Sequence, residues 1–385
     1  MLEKLVVKQF LYPVLTLSPY NLPSGVMFSD QFAFRPTGSP ASALISLFDN
    51  ISSRLSMSSY VRVIALDFSR AFDTVRHSSF FNKLSTLPIP DNVYNWVLDF
   101  FSDRTHCTMF KDIKSSSAGI NASVVQGSAL GPISFVINAS DLQPLCSSNA
   151  LFKFADDTYL VMSSDCSDTC IKELEHIENW ATANNLILNR KKSVELIFQD
   201  SKSRKHPTLP DPIPDIPRVK THVMLGVTVS NDFRFGDHVT KILTSVSQSL
   251  YALRILKSHG MPSHSLHNVF KSTCLSRLAY AVSAWYGFTL AEERERIEAF
   301  LRKSQRLGYC STDNKSFAEI VNSTDHTLFQ SIVNNSSHVL HAMLPPKKTN
   351  TYNLRLRSHP FPVPLRTTRL MDGNFLKRML LNDSF

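Results

Sequence analysis

Two adjacent aspartates interrupt an apolar run and constrain how the surrounding chain folds. Asp156 and Asp157 follow Phe154-Ala155 within an otherwise apolar stretch at residues 150–162. Adjacent carboxylates repel each other, and apolar flanks strengthen the repulsion by lowering the local dielectric constant. The pattern predicts a hairpin over residues 151–162 with both aspartates at or beside its turn, where a cation can lie against them. Taken alone, the pair is also typical of a solvated turn.

A third carboxylate lies at the end of another predicted strand. Residues 61–68 form an apolar, β-branched run that is typical of a buried strand, and Asp67 lies at its end. Alone, Asp67 is also explained as a helix N-cap. Together with Asp156 and Asp157, it supplies three carboxylates on neighbouring strand ends. Such carboxylates can hold two Mg²⁺ ions, as nucleotidyl transfer requires.

A glycine-containing loop lies between the two acidic strands in the sequence. Residues 124–132 read Val-Val-Gln-Gly-Ser-Ala-Leu-Gly-Pro and lead into an apolar stretch at 133–137. Gly127 and Gly131 allow the backbone to approach a ligand closely, and Pro132 suits the first turn of a helix. We therefore expect a ligand-compatible loop followed by a helix.

These segments resemble motifs of the reverse transcriptases of non-LTR (LINE-type) retrotransposons. Residues 66–77 resemble their first catalytic motif, residues 126–132 the second and residues 154–157 the third. Residues 188–193 resemble the fourth motif, and residues 223–227 resemble the segment that grips the primer. Residues 31–36 resemble a fingers motif. Each segment alone is a weak signal, but six in this order over about residues 28–240 form a specific match.

The resemblance implies an α+β chain with the right-hand polymerase fold. It assigns residues 1–60 to partial fingers, 61–235 to a palm with an antiparallel sheet, 236–345 to an α-helical thumb-like region and 346–385 to a basic C-terminal tail. Within the palm, residues 200–219 contain five prolines. These are too many for a helix or a central strand, so a surface loop is predicted.

Apolar periodicity predicts the helices, which continue to about residue 343. Short strands are predicted at 187–188 and 194–198, and the tail from residue 345 is expected to be partly ordered at most. The predicted helix faces are Leu44, Leu47, Phe48, Ile51 and Leu55; Tyr94, Val97, Leu98 and Phe101; Ile171, Leu174, Ile177 and Trp180; and, in one long helix, Val239, Ile242, Leu243, Val246, Leu250, Leu253 and Leu256.

The resemblance also implies a catalytic site that depends on two Mg²⁺ ions, with Mn²⁺ as a substitute. Asp67 and Asp156 would bind both ions, Asp157 would complete or tune the site, and the backbone carbonyl of Phe68 would join the metal ligands. Phe72 occupies the steric-gate position, where a bulky ring rejects a ribose 2′-hydroxyl. Without the resemblance, Phe72 is explained as a core residue on a helix face.

Further roles follow from the same resemblance. Arg35 matches a fingers residue that contacts the incoming triphosphate, although Ala33 and the Pro-Thr at 36–37 depart from the family pattern. Gln126 and Gly127 would lie beneath the templating base and the nucleotide.

Lys192 is a candidate acid or electrostatic partner for the leaving pyrophosphate, and a solvated lysine in a charged turn is the alternative. Leu225 and Gly226 would form the primer-gripping hairpin. Three other matched residues are predicted to be structural: Asp73, His77 and Ser128.

The implied partners are an RNA template, a DNA primer and dNTPs. The chain begins just before the fingers motif and has no room for the endonuclease domain of full-length elements, so we expect the product of a truncated element.

Two alternatives to a working RNA-directed DNA polymerase stay open. One is a catalytically weak relic that still binds RNA or RNA–DNA duplex, and the other is an RNA-templated RNA polymerase or other palm enzyme. A sugar gate at Phe72 argues against the latter.

Charge is distributed unevenly along the 385 residues. Residues 240–385 carry 19 Lys and Arg against 9 Asp and Glu, a balance of +10 that leaves −1 of the total +9 for residues 1–239. The basic C-terminal half suits a surface that follows a phosphate backbone, and a solvated basic face is the alternative.

The remaining composition indicates an intracellular protein in the nucleus, the cytoplasm or both, and not a secreted one. No segment approaches the roughly 20 uninterrupted apolar residues of a membrane span, so no membrane association is expected. The six cysteines form no Cys-x-x-Cys pair and are interpreted as reduced thiols. The basic run at 202–206 is too short to indicate nuclear import by itself.

Overall fold

Helices and short strands alternate along the chain in this computed structural model, which describes residues 1–200, 208–311, 315–347, 359–364 and 368–382. The basic run at 202–206 and part of the predicted tail lie outside these residues. No helix in the described ranges combines the length and apolar content needed to cross a bilayer.

The strands are, in chain order, β1 (Val61–Leu66), β2 (Thr105–His106), β3 (Met109–Phe110), β4 (Ile113–Lys114), β5 (Ala118–Gly119), β6 (Ala150–Phe154), β7 (Asp157–Ser163), β8 (Val194–Phe198), β9 (Arg218–Val219), β10 (Thr221–Met224) and β11 (Val227–Ser230). The α-helices are α1 (Leu2–Val6), α2 (Tyr12–Leu15), α3 (Pro40–Leu55), α4 (Ala71–Thr74), α5 (His77–Leu84), α6 (Asp91–Phe101), α7 (Leu130–Asn138), α8 (Cys170–Ala183), α9 (Gly236–Ser258), α10 (Ser263–Phe270), α11 (Ser276–Leu278), α12 (Val282–Trp285), α13 (Ala291–Arg306), α14 (Phe317–Asn334), α15 (Arg369–Gly373) and α16 (Phe375–Asn382). Short 3₁₀ or π-helical turns complete the helical regions at Val7–Leu11, Pro19–Asn21, Ser164–Thr169, Lys271–Leu275, Tyr286–Phe288 and His341–Met343.

The chain separates into two compact units. The first comprises Met1–Ser39, Arg62–Glu195 and Leu209–Arg218, and the second comprises Pro40–Val61, Leu196–Thr208 and Val219–Phe385. The four-segment division into fingers, palm, thumb and tail stays a prediction.

A five-stranded sheet carries the acidic segments. Its strand order is β6-β7-β1-β8-β9, and β6 pairs antiparallel with β7. Strand β1, which leads to Asp67, is therefore the neighbour of β7, which begins at Asp157. The antiparallel hairpin and the surrounding helices confirm the predicted α+β class.

Helix α7 connects two hydrophobic clusters in the first unit. Phe135 packs into the cluster built on β1, β6, β7 and α8, whereas Ile133, Val136 and Ile137 pack into a cluster with the N-terminal helices, α5 and α6. A helix that is apolar on all sides is expected to be buried, and eight of its nine residues are. This burial fixes the loop that precedes α7.

The periodicity predictions hold for most helices but were wrong in one face. The five apolar residues predicted for α3 are all buried, and the long helix predicted after residue 239 is α9. In α8 the buried face is Cys170, Leu174, Ile177 and Ala181, whereas Ile171 is 46% exposed. The predicted spacing of three residues drifts around a helix of 3.6 residues per turn, so it cannot describe a single face.

The described part of the C-terminal tail includes helices α15 and α16, so this part of the tail is ordered. Helix α16 buries Phe375, Leu376, Met379 and Leu380. Their spacing of one, three and one residues places them on one helical face. The basic composition of the tail obscured this pattern.

A buried acid between two arginines joins β8 to its neighbours in the first unit. Glu195 is fully buried; its Oε1 lies 2.9 Å from Arg62 Nε and its Oε2 lies 2.6 Å from Arg218 Nε. Arg62 is also buried, so its charge relies on Glu195 for compensation.

Glu195→Ala is expected to lower the free energy of unfolding by about 3–5 kcal/mol, because it leaves the buried Arg62 uncompensated. Glu178→Ala, which removes the partly exposed pair with Arg190, is the matched control and should cost about 1 kcal/mol or less. Urea denaturation measures both values. Equal losses in the two variants would contradict the assignment of Glu195 as a buried charge partner.

Candidate active site

The two aspartates lie at a tight hairpin turn, as predicted. Phe154 pairs with Asp157 across β6 and β7, so Ala155 and Asp156 form a two-residue turn. Ala155 has φ +58°, a left-handed conformation that is uncommon outside glycine. The turn brings Asp156 and Asp157 to the end of the hairpin, where Asp156 is half-buried and Asp157 is exposed.

Asp67 is held through its backbone by the segment that precedes β8. Its N–H donates to Ser193 Oγ (3.1 Å), and its carbonyl accepts from the N–H of Asn189 (2.8 Å). Ser193 is completely buried and its hydroxyl donates to the Asn189 carbonyl. The fourth motif of the sequence therefore fixes the strand end that carries Asp67.

The carbonyl of Phe68 is not used in this pairing. Phe68 and Leu188 form an antiparallel bridge, whose two hydrogen bonds run from Asn189 to Asp67 and from Ser69 to Ile187. In such a pair the central residues direct their own N–H and C=O groups away from the partner strand. The Phe68 carbonyl is thus compatible with its predicted role as a metal ligand.

The three carboxylates interact electrostatically. Burial raises the pKa of the Asp156 carboxyl above its usual value, and repulsion from Asp67 raises it further. The Asp157 side chain is exposed, but the surrounding protein still partly desolvates its carboxyl, which raises the pKa, and repulsion from Asp156 and Asp67 raises it further. The end of β1 therefore lies near the start of β7, as the three predicted catalytic residues require.

The types of donor atom suit a hard divalent cation, but the carboxylate side chains do not converge on one point. Three carboxylates and a backbone carbonyl are the oxygen donors that such ions prefer. Among the described residues, however, no group of three His, Cys, Asp or Glu side chains is close enough to hold a metal as it stands. Both observations hold if the carboxylates lie within electrostatic range but beyond the span of a single ion.

Phe72 packs between two aromatic rings and keeps part of its surface open. Its ring centroid lies 4.7 Å from that of Phe135 and 6.4 Å from that of Phe34. Phe135 is buried, whereas Phe34 is exposed. The ring of Phe72 is therefore half in the core and half available, which suits either the predicted gate or a packing role.

The loop before α7 leaves Gln126 and Gly127 exposed. Gly127 has φ +81° and open space around its Cα, as a loop that contacts a ligand requires. Gly131 has a different role from the one predicted. A Cβ there would lie 2.9 Å from the Val125 carbonyl, so this glycine permits close packing of the loop on α7 rather than approach to a ligand.

Three other motif residues have structural contacts, in agreement with prediction. His77 is buried, with Nε2 2.8 Å from the Ser123 carbonyl. Ser128 Oγ accepts from the N–H of Gly131 (2.9 Å), and Asp73 accepts from Gln126 Nε2 (3.4 Å).

Arg35 is engaged by its own segment. Its Nη1 donates to the carbonyls of Phe28 and Gln31. Burial lowers the pKa of the guanidinium to about 10, so it stays charged at neutral pH. Its contact with a triphosphate stays a prediction. Lys192 is exposed, which leaves both interpretations of that residue open.

In the second unit, Leu225 and Gly226 form the turn of the β10–β11 hairpin. Met224 pairs with Val227, and the two turn residues have φ +44° and +83°. Positive values at both positions are typical of a type I′ hairpin turn. Tyr280 Oη donates to the Leu225 carbonyl (3.0 Å), so the hairpin is held from one side.

A buried lysine that the sequence interpretation passed over anchors β6. Lys153 is 1% exposed, and its Nζ lies 2.9 Å from Asp30 Oδ2 and donates to the carbonyls of Ala139 and Leu142 at 2.9 Å each. Burial raises the pKa of Asp30 despite the attraction of Lys153. The sequence signal that could have identified this contact is a single lysine in an apolar strand, because a buried charge requires a partner.

Comparison with known proteins decides the family. A profile described as "Reverse transcriptase (RNA-dependent DNA polymerase)" matches residues 5–229, more than half of the chain. This chain belongs to the reverse transcriptase family. The match includes Asp67, Asp156 and Asp157, and reverse transcriptases in general depend on divalent metal ions.

Relatives among reverse transcriptases come from non-LTR elements. The probable RNA-directed DNA polymerase from transposon X-element of Drosophila melanogaster is 26% identical over 74% of this chain and 32% of its own length. The polymerase from mobile element jockey of the same organism is 26% identical over 63% of this chain and 27% of its own length. The chain thus spans about a third or less of these relatives, and the resemblance to LINE-type reverse transcriptases is confirmed.

Solved telomerase structures are also similar. Apo telomerase from Candida tropicalis has a TM-score of 0.45 at 12% identity, covering 87% of this chain and 57% of that one. Telomerase from Candida albicans in complex with a fragment of telomeric RNA has a TM-score of 0.42 at 12% identity, covering 73% of this chain and 52% of that one.

Asp156→Asn is expected to raise the thermal unfolding midpoint of the metal-free protein at neutral pH by a few degrees. Because burial and repulsion raise the folded-state pKa values of Asp156 and Asp157, stability is lost as the pH rises through those values. The gain should disappear below the usual Asp pKa of 3.8, where wild type is also protonated.

Differential scanning calorimetry in EDTA and in Mg²⁺ measures this effect. Mg²⁺ should stabilise wild type more than the variant, and exposed Asp168→Asn is the control that should change neither value. A lower midpoint for Asp156→Asn than for wild type in EDTA would contradict the repulsion.

Proposed function

We propose that this chain is an RNA-directed DNA polymerase that joins dNTPs to a primer 3′-hydroxyl. The observation that carries the proposal is the electrostatic meeting of Asp67 with Asp156 and Asp157 at two neighbouring strand ends. Carboxylates that repel one another in a partly buried place are stabilised by cations, and nucleotidyl transfer is a reaction that needs cations there.

Asp67, Asp156, Asp157 and the Phe68 carbonyl would hold two Mg²⁺ ions, or Mn²⁺ in their place. When bound, such ions lower the pKa of the attacking hydroxyl and neutralise charge on the leaving pyrophosphate. The protein's own contribution is then position and charge rather than covalent chemistry. The backbone contacts of Asp67 with Ser193 and Asn189 serve this role by fixing one carboxylate against the others.

Selection of the nucleotide would fall to Phe72 and the loop at Gln126 and Gly127. The exposed part of the Phe72 ring would exclude a ribose 2′-hydroxyl. The contact between this ring and buried Phe135 would hold the ring in place. Exposed Gln126 and the open backbone at Gly127 would lie beneath the template base and nucleotide.

Arg35 and Lys192 would act on the phosphates. Because Nη1 of Arg35 is engaged by two carbonyls, we assign it a contribution of positive charge rather than a two-pronged clamp. Lys192, exposed and cationic, would balance the charge of the leaving pyrophosphate.

The second unit would bind the primer duplex at the Leu225–Gly226 hairpin. The hairpin borders a groove of about 550 Å³ that contains Lys241 and Arg277. These cations donate to the hydroxyls of Thr228 (3.3 Å) and Ser245 (2.9 Å), and no carboxylate is among the described residues that line the groove. Their charge therefore suits a phosphate backbone.

Primer extension tests this proposal, with a primed RNA template, Mg²⁺ and labelled dNTPs. Wild type should extend the primer, and Asp156→Asn with Asp157→Asn should lower the rate at least about 1,000-fold, because several kcal/mol of charge stabilisation are lost. Asp165→Asn with Asp168→Asn, which changes two exposed carboxylates beyond the other end of β7, is the matched control and should retain the rate.

The outcomes separate the alternatives. Primer extension by the variant with both Asp156→Asn and Asp157→Asn would contradict the assignment of these residues to the catalytic site. No extension by wild type, with binding to the primed template intact, would favour a relic that holds nucleic acid without copying it. In the same assay Phe72→Ala should admit ribonucleotides, and unchanged sugar selectivity would remove the gate assignment.

A further inference from the structure

Gln31 connects the N-terminal segment to the turn that carries the aspartates. Its side chain is 2% exposed, and its Oε1 accepts two hydrogen bonds, from the N–H of Ala33 and from the N–H of Ala155, each at 3.0 Å. A neutral amide oxygen can accept both donors without adding charge beside Asp156.

The hydrogen bond from Ala155 lies in the turn of the hairpin, where the backbone is strained. Ala155 is the first residue of the two-residue turn, holds a left-handed φ of +58° and is 7% exposed. A buried N–H without an acceptor is costly, and a strained backbone persists only where its surroundings hold it. Gln31 supplies that acceptor at the residue that immediately precedes Asp156.

The segment around Gln31 also pairs with β6 at one position, through a parallel bridge between Gln31 and Lys153. Lys153 N–H donates to the Asp30 carbonyl (2.7 Å), and Phe32 N–H donates to the Lys153 carbonyl (2.8 Å). The ion pair between Lys153 and Asp30 reinforces this pairing in the interior. Gln31 is therefore fixed relative to the hairpin and does not swing freely toward it.

We infer that Gln31 is a positioning residue that sets the distance of Asp156 and Asp157 from Asp67 through the turn at Ala155. This inference rests on the proposed function for its effect on catalysis, but its effect on the site is independent of turnover. Both hydrogen bonds of the Gln31 side chain come from backbone N–H groups, so it acts on the carboxylates through the backbone. Outer groups that orient metal ligands typically account for about 10–100-fold in metal affinity or activity.

Gln31→Met tests the inference because it keeps the length and volume of the side chain while removing the acceptor. Gln143→Met is the matched control: Gln143 is half-buried and donates to Asp30 Oδ2 (3.4 Å), but it does not contact the turn. We expect Gln31→Met to lower kcat about 10–100-fold, to leave KM for dNTP nearly unchanged and to raise the half-saturating Mg²⁺ concentration. Gln143→Met should match wild type in all three.

Two measurements that need no turnover accompany the kinetics. Hydrogen exchange should be faster at the Ala155 amide in Gln31→Met than in wild type, and titration of Mn²⁺ followed by electron paramagnetic resonance should give about 10–100-fold weaker binding. Equal Mn²⁺ affinity in wild type and Gln31→Met, or an equal loss in Gln143→Met, would overturn the inference. If wild type fails to extend primers, the proposed function fails for this chain, and the Mn²⁺ affinities alone decide the role of Gln31.

Discussion

Mutual repulsion among Asp67, Asp156 and Asp157 is the constraint that the packing of the first unit has to overcome. Each carboxylate would be more stable in water. However, the end of β1 and the start of β7 bring the carboxylates together, and desolvation and like charge raise the pKa values of Asp156 and Asp157 there. A fold that holds like charges together without a structural cation loses stability, so such an arrangement is retained for its chemistry rather than for folding. The reverse transcriptase family, to which the chain belongs, uses divalent ions as the compensating charge.

Rigid surroundings are needed to hold these charges. Ser193 fixes the backbone of Asp67, and Lys153 secures β6 through an ion pair and two carbonyls. Helix α7 is buried between two hydrophobic clusters, so the loop at Gln126 and Gly127 begins from a fixed point. Each of these contacts acts on backbone or on a strand end. The geometry of the site is thus set by the packing of the unit and not by the aspartates themselves.

The sequence could predict what local pattern determines. The hairpin with aspartates at its turn follows from adjacent residues, because an apolar run acts over a few positions, whereas the turn at Leu225 and Gly226 was implied by the family resemblance. Contacts between distant segments have no such local signature. The hydrogen bond between Gln31 and Ala155 joins residues 124 apart in sequence, and the partners of Lys153 come from two separate segments, at Asp30 and at Ala139 to Leu142. The exposed Ile171 illustrates a different failure, since a spacing of three residues imitates a helical face without forming one.

Whether the three carboxylates bind divalent ions together is measured most directly by anomalous diffraction from a Mn²⁺ complex with primed template and an unreactive nucleotide. The account predicts two anomalous peaks about 3.5–4 Å apart, with oxygens of Asp67 and Asp156 about 2.1 Å from them. Asp157 should complete one of the two ligand sets. Mn²⁺ bound elsewhere in the crystal, with no peak at these carboxylates, would contradict it.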